Sequence, residues 1–427
     1  MAAAPGWTVF HGWRVVGACF VAAVFTWGFG VFGGSVYLAE VTRAQAWPVS
    51  LVAGGLTVFY LTNALALGTV GRLIDRHGAR PVFCFGAVAL AIGTAAMGRV
   101  EAVWQLYAAF LVMGLGYAAM SVTGLSATLA PWFERHQGRA VAIATTGASL
   151  GAMLVVPLFV TAIDRYGFAA ASAGGALLTL LVLLPLFALV LRFRRPEDLG
   201  IGPDGDPPPA GVAAATPPVR APAWTRAEAV RSRGLRTVAI GFAFGLVVQV
   251  GFLTHHVKIA EPVLGTTGAG WLVGATGLAG LLGRLLLARV ANGIDLRLYT
   301  AGIMAVQALV LALIALLPGP ATLIGGSLVY GFCLGQITSL SPIIVRREFG
   351  AAAFGAIYGA AAGVIQFSSA FGPAVFGALR DLAGGYGPVL AAAAVFEAVA
   401  MAILLYGRPA PTNPTDGPLI DGGGEGR

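Results

Sequence analysis

The chain has 427 residues, of which 58% are hydrophobic and 10% are charged. Soluble globular domains carry about 25% charged residues, so the composition excludes an ordinary soluble protein and predicts a polytopic membrane protein. The formal net charge of +8 does not indicate nucleic-acid binding, because the arginines lie in short segments between apolar stretches and report topology. Cys19, Cys84 and Cys333 lie far apart in apolar stretches. We expect them to be small buried residues, without a disulfide, a metal or a cofactor.

Twelve apolar stretches are long enough to cross a bilayer, which takes about 20 residues. In chain order these spans cover residues 13–38, 49–71, 80–98, 103–130, 139–163, 168–191, 237–260, 266–290, 298–318, 320–345, 352–379 and 385–406. The first span is too long for the apolar core of a signal peptide and lacks a small-residue cleavage site. The sequence therefore predicts an all-α integral membrane protein without a cleavable signal.

Basic residues are distributed unevenly between the two sides of the predicted membrane domain. If the N-terminus is cytoplasmic, the outside loops contain only Arg43, Arg99, Arg165, Lys258 and Arg380. The remaining arginines of the loops and of the central segment then lie inside, as is typical of cytoplasmic loops. The pattern predicts a multi-pass plasma (inner) membrane protein with both termini in the cytoplasm.

The spans fall into two groups of six, separated by a long polar segment. We predict an N-terminal half over 1–191, a cytoplasmic linker over 192–236, a C-terminal half over 237–408 and a disordered tail over 409–427. The linker is rich in Pro, Gly and Ala, so it is expected to be flexible. Its last part, residues 224–236, is basic and is compatible with an amphipathic helix on the inner membrane surface.

The two halves show weak internal similarity. Residues 71–75 (GRLID) close span 2, and residues 288–292 (ARVAN) close span 8, 217 residues later. Gly138, before span 5, and Gly355, near the start of span 11, have the same separation. A repeat between six-span halves is typical of secondary transporters, whose binding site lies between the halves near the midplane.

Residues 71–80, GRLIDRHGAR, resemble the signature Gly-x-x-x-Asp-Arg-x-Gly-x-Arg that the major facilitator superfamily carries between helices 2 and 3. The resemblance implies the major facilitator fold of two pseudo-symmetric six-helix halves. It implies a role in conformational gating for Gly71, Asp75, Arg76, Gly78 and Arg80. Asp75 can pair with an arginine or a helix N-terminus of span 11 when the cytoplasmic side closes. The second copy has Ala288 and Asn292 in place of the Gly and the Asp.

A narrower resemblance covers nearly the whole chain. It rests on HGWR at 11–14, PWFERHQGR at 131–139, RPEDLG at 195–200, GR at 283–284 and FGAIYG at 354–359. These motifs are similar to those of bacterial monocarboxylate-transporter-like proteins, a group related to animal monocarboxylate transporters and to oxalate–formate antiporters. The resemblance implies transport of small carboxylates, often with a proton, and an arginine of span 8 as the anion receptor.

Carried over to this chain, the anion receptor is Arg284. Animal relatives pair that arginine with an acidic residue one turn earlier and with a lysine in span 1. Here Gly280 takes the acidic position and span 1 has no lysine. A proton route built on that acid–base pair is therefore unavailable.

Arg284 also stands out without any resemblance. It lies eight residues before Asn292, roughly 12 Å into the membrane from the helix end. An arginine at such depth costs about 2.5–3.5 kcal/mol on insertion scales and usually faces a cavity or an anion. Its planar fork suits a carboxylate, although snorkelling to the interface is the alternative. Tyr117 in span 4 and Tyr330 in span 10 are predicted partners in substrate binding, with core packing as the alternative.

Three residues are candidates for proton coupling. His255 and His256 lie near the outer end of span 7, and a histidine titrates close to physiological pH. Glu397 lies in the middle of span 12, a costly place for an ionised carboxylate. Histidines at an interface often have no such role, and span 12 usually lies outside the cavity wall in the superfamily.

The predicted function is secondary transport of a small monocarboxylate with a proton, by alternating access. The alternatives are exchange of organic anions, export of another small amphipathic compound, or a non-transporting membrane sensor. An enzyme is not expected, since the sequence has no Gly-x-Ser-x-Gly elbow, no phosphate-binding loop and no metal-ligand spacing. The expected partners are the carboxylate, the proton and the lipid bilayer, without nucleic acid or an obligatory protein partner.

Overall fold

A computed structural model describes residues 10–206, 224–350 and 354–407. Within these ranges, eleven helices are long and apolar enough to cross a membrane. One of them, Arg233–Val290, has 58 residues and bends at Gly265, whose φ of 69° is left-handed and favours glycine. This helix therefore makes two spans, 233–264 and 266–290. The described residues have the twelve spans that the sequence predicts, and the all-α membrane fold is confirmed.

The helices are numbered α1 to α12. Their bounds are α1 His11–Gln45, α2 Val49–His77, α3 Ala79–Met97, α4 Val103–Leu129, α5 Gln137–Tyr166, α6 Phe168–Val190, α7 233–264, α8 266–290, α9 Leu296–Leu316, α10 Pro320–Phe349, α11 Phe354–Ala383 and α12 Tyr386–Tyr406. Several extend one or two turns beyond their predicted ends, because hydropathy marks only the apolar part of a helix. We call the side with the start of α1 and the end of α12 the terminal face, and the other side the opposite face.

Two helices of the N-terminal half change pitch along their length. α1 is π-helical over Thr26–Phe32, and α5 is π-helical over Gly151–Val155. The two segments pack together, because a Cβ on Gly28 would lie only 2.6 Å from the Cβ of Val155. α11 is interrupted at Ala370, which lies 217 residues after Met153 in the α5 segment. The internal repeat thus includes a matching break in α5 and α11, and such irregularities are frequent at functional sites.

The halves α1–α6 and α7–α12 contact each other closely on the opposite face. A Cβ on Gly377 of α11 would lie 2.8 Å from the Cα of Ser50 in α2. The backbone N–H of Ser50 donates to the Asp381 carboxylate at 2.8 Å. Arg43 of α1 forms an ion pair with Glu261 of α7. These contacts join helices of the two halves and close the opposite face.

Toward the terminal face the same helices separate. Among the described residues, no neighbouring heavy atom lies within 4 Å of the position that a Cβ would take on Gly71 of α2, or on Gly355 and Gly359 of α11. α2 and α11 therefore touch at the opposite face and diverge toward the terminal face. The conformation is closed on the opposite face and open on the terminal face.

The first part of the linker packs against the loop between α4 and α5. The backbone N–H of Asp204 donates to the Trp132 carbonyl at 2.9 Å, and the Asp204 carboxylate accepts from the backbone N–H of Arg135 at 2.8 Å. Residues 196–199 and 203–205 form short 3₁₀ turns. The composition predicted a flexible linker, but a buried carboxylate fixes this part of it. Residues 207–223 and the tail 409–427 lie outside the described residues, so the predicted tail disorder stays a prediction.

Residues 224–236 do not form one continuous amphipathic helix. Arg226–Arg231 is a short helix, and Ser232 after it is extended, with φ −67° and ψ 143°. The Ser232 hydroxyl then accepts from the backbone N–H of Leu235 at 3.2 Å and caps the start of α7. Trp224 packs edge-on against Phe349 at the end of α10, with 5.3 Å between ring centroids. This segment is therefore attached to the C-terminal half.

Candidate anion-binding site

Arg284 lies on α8, where glycines bring α8 and α10 into backbone contact. A Cβ on Gly280 would lie 3.2 Å from the Gly331 carbonyl oxygen, and a Cβ on Gly283 would collide with the backbone of Phe332. This close approach lets Arg284 Nε donate to the Gly335 carbonyl of α10 at 3.2 Å. A side chain at 280 would press on the Gly331 carbonyl, so a glycine suits this close approach.

The guanidinium of Arg284 also reaches across to the N-terminal half. Its Nη1 lies 3.5 Å from the Ser149 hydroxyl of α5, two residues before the π-helical segment Gly151–Val155. The side chain is partly buried, and no carboxylate of the described residues forms an ion pair with it. An arginine has five N–H donors in a planar fork that matches a carboxylate. Arg284 therefore has donors free for an anion at the boundary between the halves.

The two predicted tyrosine partners make their described contacts with aromatic residues. Tyr117 packs in an aromatic cluster of the N-terminal half, 5.3 Å from Trp27 and 5.2 Å from Phe59 between ring centroids. Tyr330 is fully buried in the C-terminal half and packs on Phe252 at 4.4 Å between centroids. The described contacts of both tyrosines are therefore with core residues, and neither includes Arg284. Ser149 and Gly335 are the groups that the structure brings to it.

The two histidines are fully buried near the opposite end of α7. His255 has both ring nitrogens engaged, with Nδ1 2.8 Å from the Tyr386 hydroxyl and Nε2 3.0 Å from the Pro373 carbonyl. Because a carbonyl only accepts, His255 Nε2 is the donor and the neutral ring accepts from Tyr386. His256 Nε2 lies 3.0 Å from the Ser327 hydroxyl. His255 thus joins α7 to α11 and α12, as a structural residue does.

Glu397, the third proton-coupling candidate, is fully buried inside the C-terminal half. Its carboxyl lies against the backbone of α7, because Oε2 is 3.5 Å from the position of a Cβ on Gly245. Neither carboxyl oxygen has a hydrogen-bond partner among the described residues. Glu397 is therefore remote from the opening between the halves, in agreement with the peripheral place of span 12.

The gating motif spans the end of α2, a turn and the start of α3. Asp75 and Arg76 are exposed on the last turns of α2, and Gly78 makes the turn with a φ of 83°. Only a glycine adopts this conformation easily. Asp75 and Arg76 form no ion pair within the part of the chain that the structure describes. The gating role of Asp75 and Arg76 stays a prediction.

Sequence reasoning missed an arginine of the second motif copy. Arg297 lies 217 residues after Arg80, the last position of the signature, and its side chain is only 3% exposed. It donates to Glu348 from Nε at 2.5 Å and from Nη2 at 2.8 Å. It also donates to the carbonyls of Gly234 and Leu404. The repeat offset was the signal that could have identified it, since the second copy keeps this arginine while it loses the Gly and the Asp.

Two six-helix halves with a charged side chain between them define the class of secondary transporters. The family model described as Major Facilitator Superfamily matches residues 18–373. The chain belongs to the major facilitator superfamily and is a multi-pass membrane protein. The resemblance inferred from residues 71–80 is confirmed.

Similar proteins include carboxylate transporters. Monocarboxylate transporter 13 of Bos taurus is 23% identical over 94% of this chain and 89% of that protein. The oxalate:formate antiporter of Oxalobacter formigenes is 29% identical, but that match covers 32% of this chain and 33% of the antiporter. Among solved structures, the nucleoside transporter NupG superposes with a TM-score of 0.68 at 13% identity, covering 93% of this chain and 99% of that one. The structural likeness shows the fold alone.

Proposed function

We propose that the protein is a secondary active transporter that moves a small monocarboxylate together with a proton, by alternating access. The observation that carries the proposal is Arg284, which contacts Gly335 of one half and Ser149 of the other and has no acidic partner among the described residues. A partly buried arginine within a membrane span and without an acidic partner favours an anion as its ligand. The relatives whose names specify monocarboxylates, oxalate and formate support a carboxylate.

Arg284 receives one carboxylate in this proposal. The fork binds the two oxygens through parallel N–H···O hydrogen bonds, and the Ser149 hydroxyl adds a donor from the N-terminal half. Because the ligand contacts both halves, its binding changes the relative stability of the conformations in which they are open or closed. A ligand shifts such an equilibrium by the difference in its affinity for the two states.

In this proposal the terminal face lies in the cytoplasm, as the distribution of arginine predicts, and the protein lies in the plasma (inner) membrane. The conformation described here is then open to the cytoplasm. Opening to the outside requires separation of Arg43 from Glu261 and of Ser50 from Asp381, while Asp75 engages the start of α11. This is the exchange of contacts that alternating access demands.

The test is uptake of a labelled panel of small acids into proteoliposomes, with and without a pH gradient. Uptake of a monocarboxylate that the gradient accelerates is the expected result. Arg284→Ala should weaken carboxylate binding at least about thirtyfold, the equivalent of about 2 kcal/mol for truncating one partner of a buried charge pair. Arg284→Lys should weaken it less, because the charge remains and the fork is lost.

Two results would contradict this proposal. Carboxylate affinity of wild-type strength in Arg284→Ala would exclude this residue as the anion receptor. Fast exchange of acids across the membrane with no response to the gradient would favour the organic-anion exchanger instead.

A further inference from the structure

Four polar side chains are buried in the interior of the C-terminal half. They come from four helices: Gln249 on α7, Gln307 on α9, Tyr330 on α10 and Glu397 on α12. Gln249 is 5% exposed and the other three are 0% exposed. Each lies near the middle of the membrane-spanning part of its helix.

None of the four is satisfied by protein. Both carboxyl oxygens of Glu397, both amide atoms of Gln307, the Tyr330 hydroxyl and Gln249 Oε1 lack a hydrogen-bond partner among the described residues. Leaving one such group unpaired costs about 1–3 kcal/mol. Native proteins contain few buried unpaired groups, and a cluster of them points to a bound species.

Contacts at Gly245 place the Glu397 carboxyl beside α7 and α9. Glu397 Oε2 lies 3.5 Å, and Met304 Cε of α9 lies 3.1 Å, from the position of a Cβ on Gly245 of α7. Gln249 follows Gly245 by one turn on α7, and Gln307 follows Met304 by one turn on α9. The two helices run in the same direction. Tyr330 of α10 lies within electrostatic reach of the Glu397 carboxyl.

The hydrogen-bonding groups and charges around Glu397 indicate which ligand it binds. An ionised Glu397 is an acceptor only, and no Lys, Arg or His pairs with it in the described part of the chain. The titratable groups that face it are Tyr330 and Cys333 of α10, both neutral acids, while α7 and α9 present none within a turn of Gly245 and Met304. A buried carboxylate without a cation is strongly unfavourable, and a proton removes the charge.

We propose that Glu397 and Gln307 form a proton-binding site inside the C-terminal half, with Tyr330 and Gln249 completing it. A protonated carboxyl offers one donor and one acceptor, and a primary amide offers the complementary pair. The structure shows no hydrogen bond between the two groups, so their pairing upon protonation of Glu397 is part of the proposal. Sodium, which takes only oxygen ligands, would leave the Gln307 amide nitrogen unpaired.

The site lies apart from Arg284 but shares a helix with it. Tyr330 and Cys333 precede Gly335, the α10 residue whose carbonyl accepts from Arg284, by less than two turns. A displacement of α10 when an anion binds Arg284 therefore moves the groups that face Glu397. We therefore assign the proton that is transported with the carboxylate to Glu397. This assignment rests on the proposed function.

The experiment is infrared spectroscopy of the full chain in liposomes at neutral pH, which detects the carbonyl stretch of a protonated carboxyl without any transport. The wild type should show this band, Glu397→Gln should remove it, and Glu101→Gln, an exposed acid in the α3–α4 loop, should leave it. Gln307→Leu keeps the acid and should shift the band to higher frequency. This second variant keeps the test decisive if Glu397→Gln fails to fold.

Absence of a Glu397-dependent band in the wild type, or a band unmoved in Gln307→Leu, overturns the site. A band that sodium chloride abolishes relative to choline chloride assigns the site to sodium and also overturns it. The Arg284→Ala variant should keep the band and lose acid binding. The band therefore tests the proton site, and acid binding tests the anion receptor separately. In transport, one pH unit drives about tenfold accumulation in one-to-one symport, and Glu397→Gln should reduce this to no accumulation while exchange continues.

Discussion

The buried Arg297 and the partly exposed Glu348 form a two-point ion pair at the terminal end of the C-terminal half, with Nε–Oε1 at 2.5 Å and Nη2–Oε2 at 2.8 Å. The same guanidinium donates to Thr237 at 3.0 Å and to the Leu404 carbonyl at 3.1 Å. Arg297 thereby connects α7, α9, α10 and α12 through one side chain.

Removal of Arg297 should destabilise the C-terminal half strongly. Arg297→Met leaves Glu348, which is 24% exposed, without its partner and removes the hydrogen bonds of a buried guanidinium, each worth about 1.5–3 kcal/mol. The double variant with Glu348→Leu should recover part of the loss. Thermal unfolding in detergent measures both, with Arg289→Gln, an exposed arginine of the same face, as the control. Equal melting temperatures for Arg297→Met and the control would show that the Arg297 contacts contribute nothing to stability.

Attachment of the linker should depend on the charge of Asp204. Desolvation alone raises the pKa of this carboxyl, but hydrogen bonds from the backbone N–H of Arg135, the His136 ring and the backbone N–H of Glu134 outweigh it and lower the pKa from 3.8 to about 2. A lowered pKa stabilises the attached state above the ordinary pKa, and this stabilisation is lost as the pH falls through the lower value. We therefore expect attachment to weaken from about pH 4 to about pH 2.

The measurement is fluorescence anisotropy of a probe on Leu199→Cys in a variant without the native cysteines. The probe should become more mobile over that pH range, and Asp204→Asn should be mobile already at neutral pH. Asp206→Asn is the matched control, because Asp206 is 56% exposed in its pair with Arg135 and exposed pairs contribute at most about 1 kcal/mol. An Asp204→Asn variant that behaves like wild type would disprove the role of this carboxylate.

The topology prediction can be tested with two introduced cysteines. Leu199 lies in the linker on the terminal face, and Glu101 lies in the α3–α4 loop on the opposite face. In a cysteine-free background, an impermeant thiol reagent applied to intact cells should label Glu101→Cys and leave Leu199→Cys unlabelled, as the arginine distribution predicts. The reverse labelling pattern would invert the orientation.

The contact between Arg43 and Glu261 should hold the opposite face closed. Their side chains are 43% and 21% exposed, so the pair contributes at most about 1 kcal/mol and shifts the conformational populations about fivefold. Glu261→Gln should populate the state that is open on the opposite face, and the charge swap Arg43→Glu with Glu261→Arg should reverse this.

Spin labels at Arg99 of the N-terminal half and Leu317 of the C-terminal half, both on the opposite face, report the separation. Their distance distribution should gain a longer component in Glu261→Gln and lose it in the charge swap. Arg165→Gln, an exposed residue of the same face, serves as control. A distribution unchanged in Glu261→Gln would remove this pair from the closing contacts.

The features of the fold and of the site that could be predicted from the sequence are those that hydropathy and isolated charges reveal. The twelve spans follow from the length of the apolar stretches, because a helix must be long and apolar enough to cross the bilayer. Arg284 is identified by its charge, because a charged side chain inside a span is costly. Arg297 was counted among topology arginines, since an arginine near a helix end looks the same in sequence whether it faces water or a buried glutamate. The packing of Tyr330 on Phe252 could not be predicted for a related reason. In a helix that is apolar on all sides, periodicity does not show which face meets the cavity.

The last prediction concerns Asp75, which is exposed at the end of α2 and forms no ion pair among the described residues. Its carboxylate is needed only when the terminal ends of α2 and α11 come together, where an arginine or a helix N-terminus can receive it. An acidic group at a helix N-terminus contributes about 0.3–1 kcal/mol. Asp75→Asn should therefore slow transport up to about fivefold.

The half-saturating substrate concentration should stay nearly unchanged, because Asp75 acts on the populations of states and not on the ligand. The matched control is Glu134→Gln, an exposed acid of the same face that lies outside the signature. Initial rates of uptake over a range of substrate concentrations separate the two effects. A variant with full turnover and altered affinity would place Asp75 in substrate binding and disprove the latch.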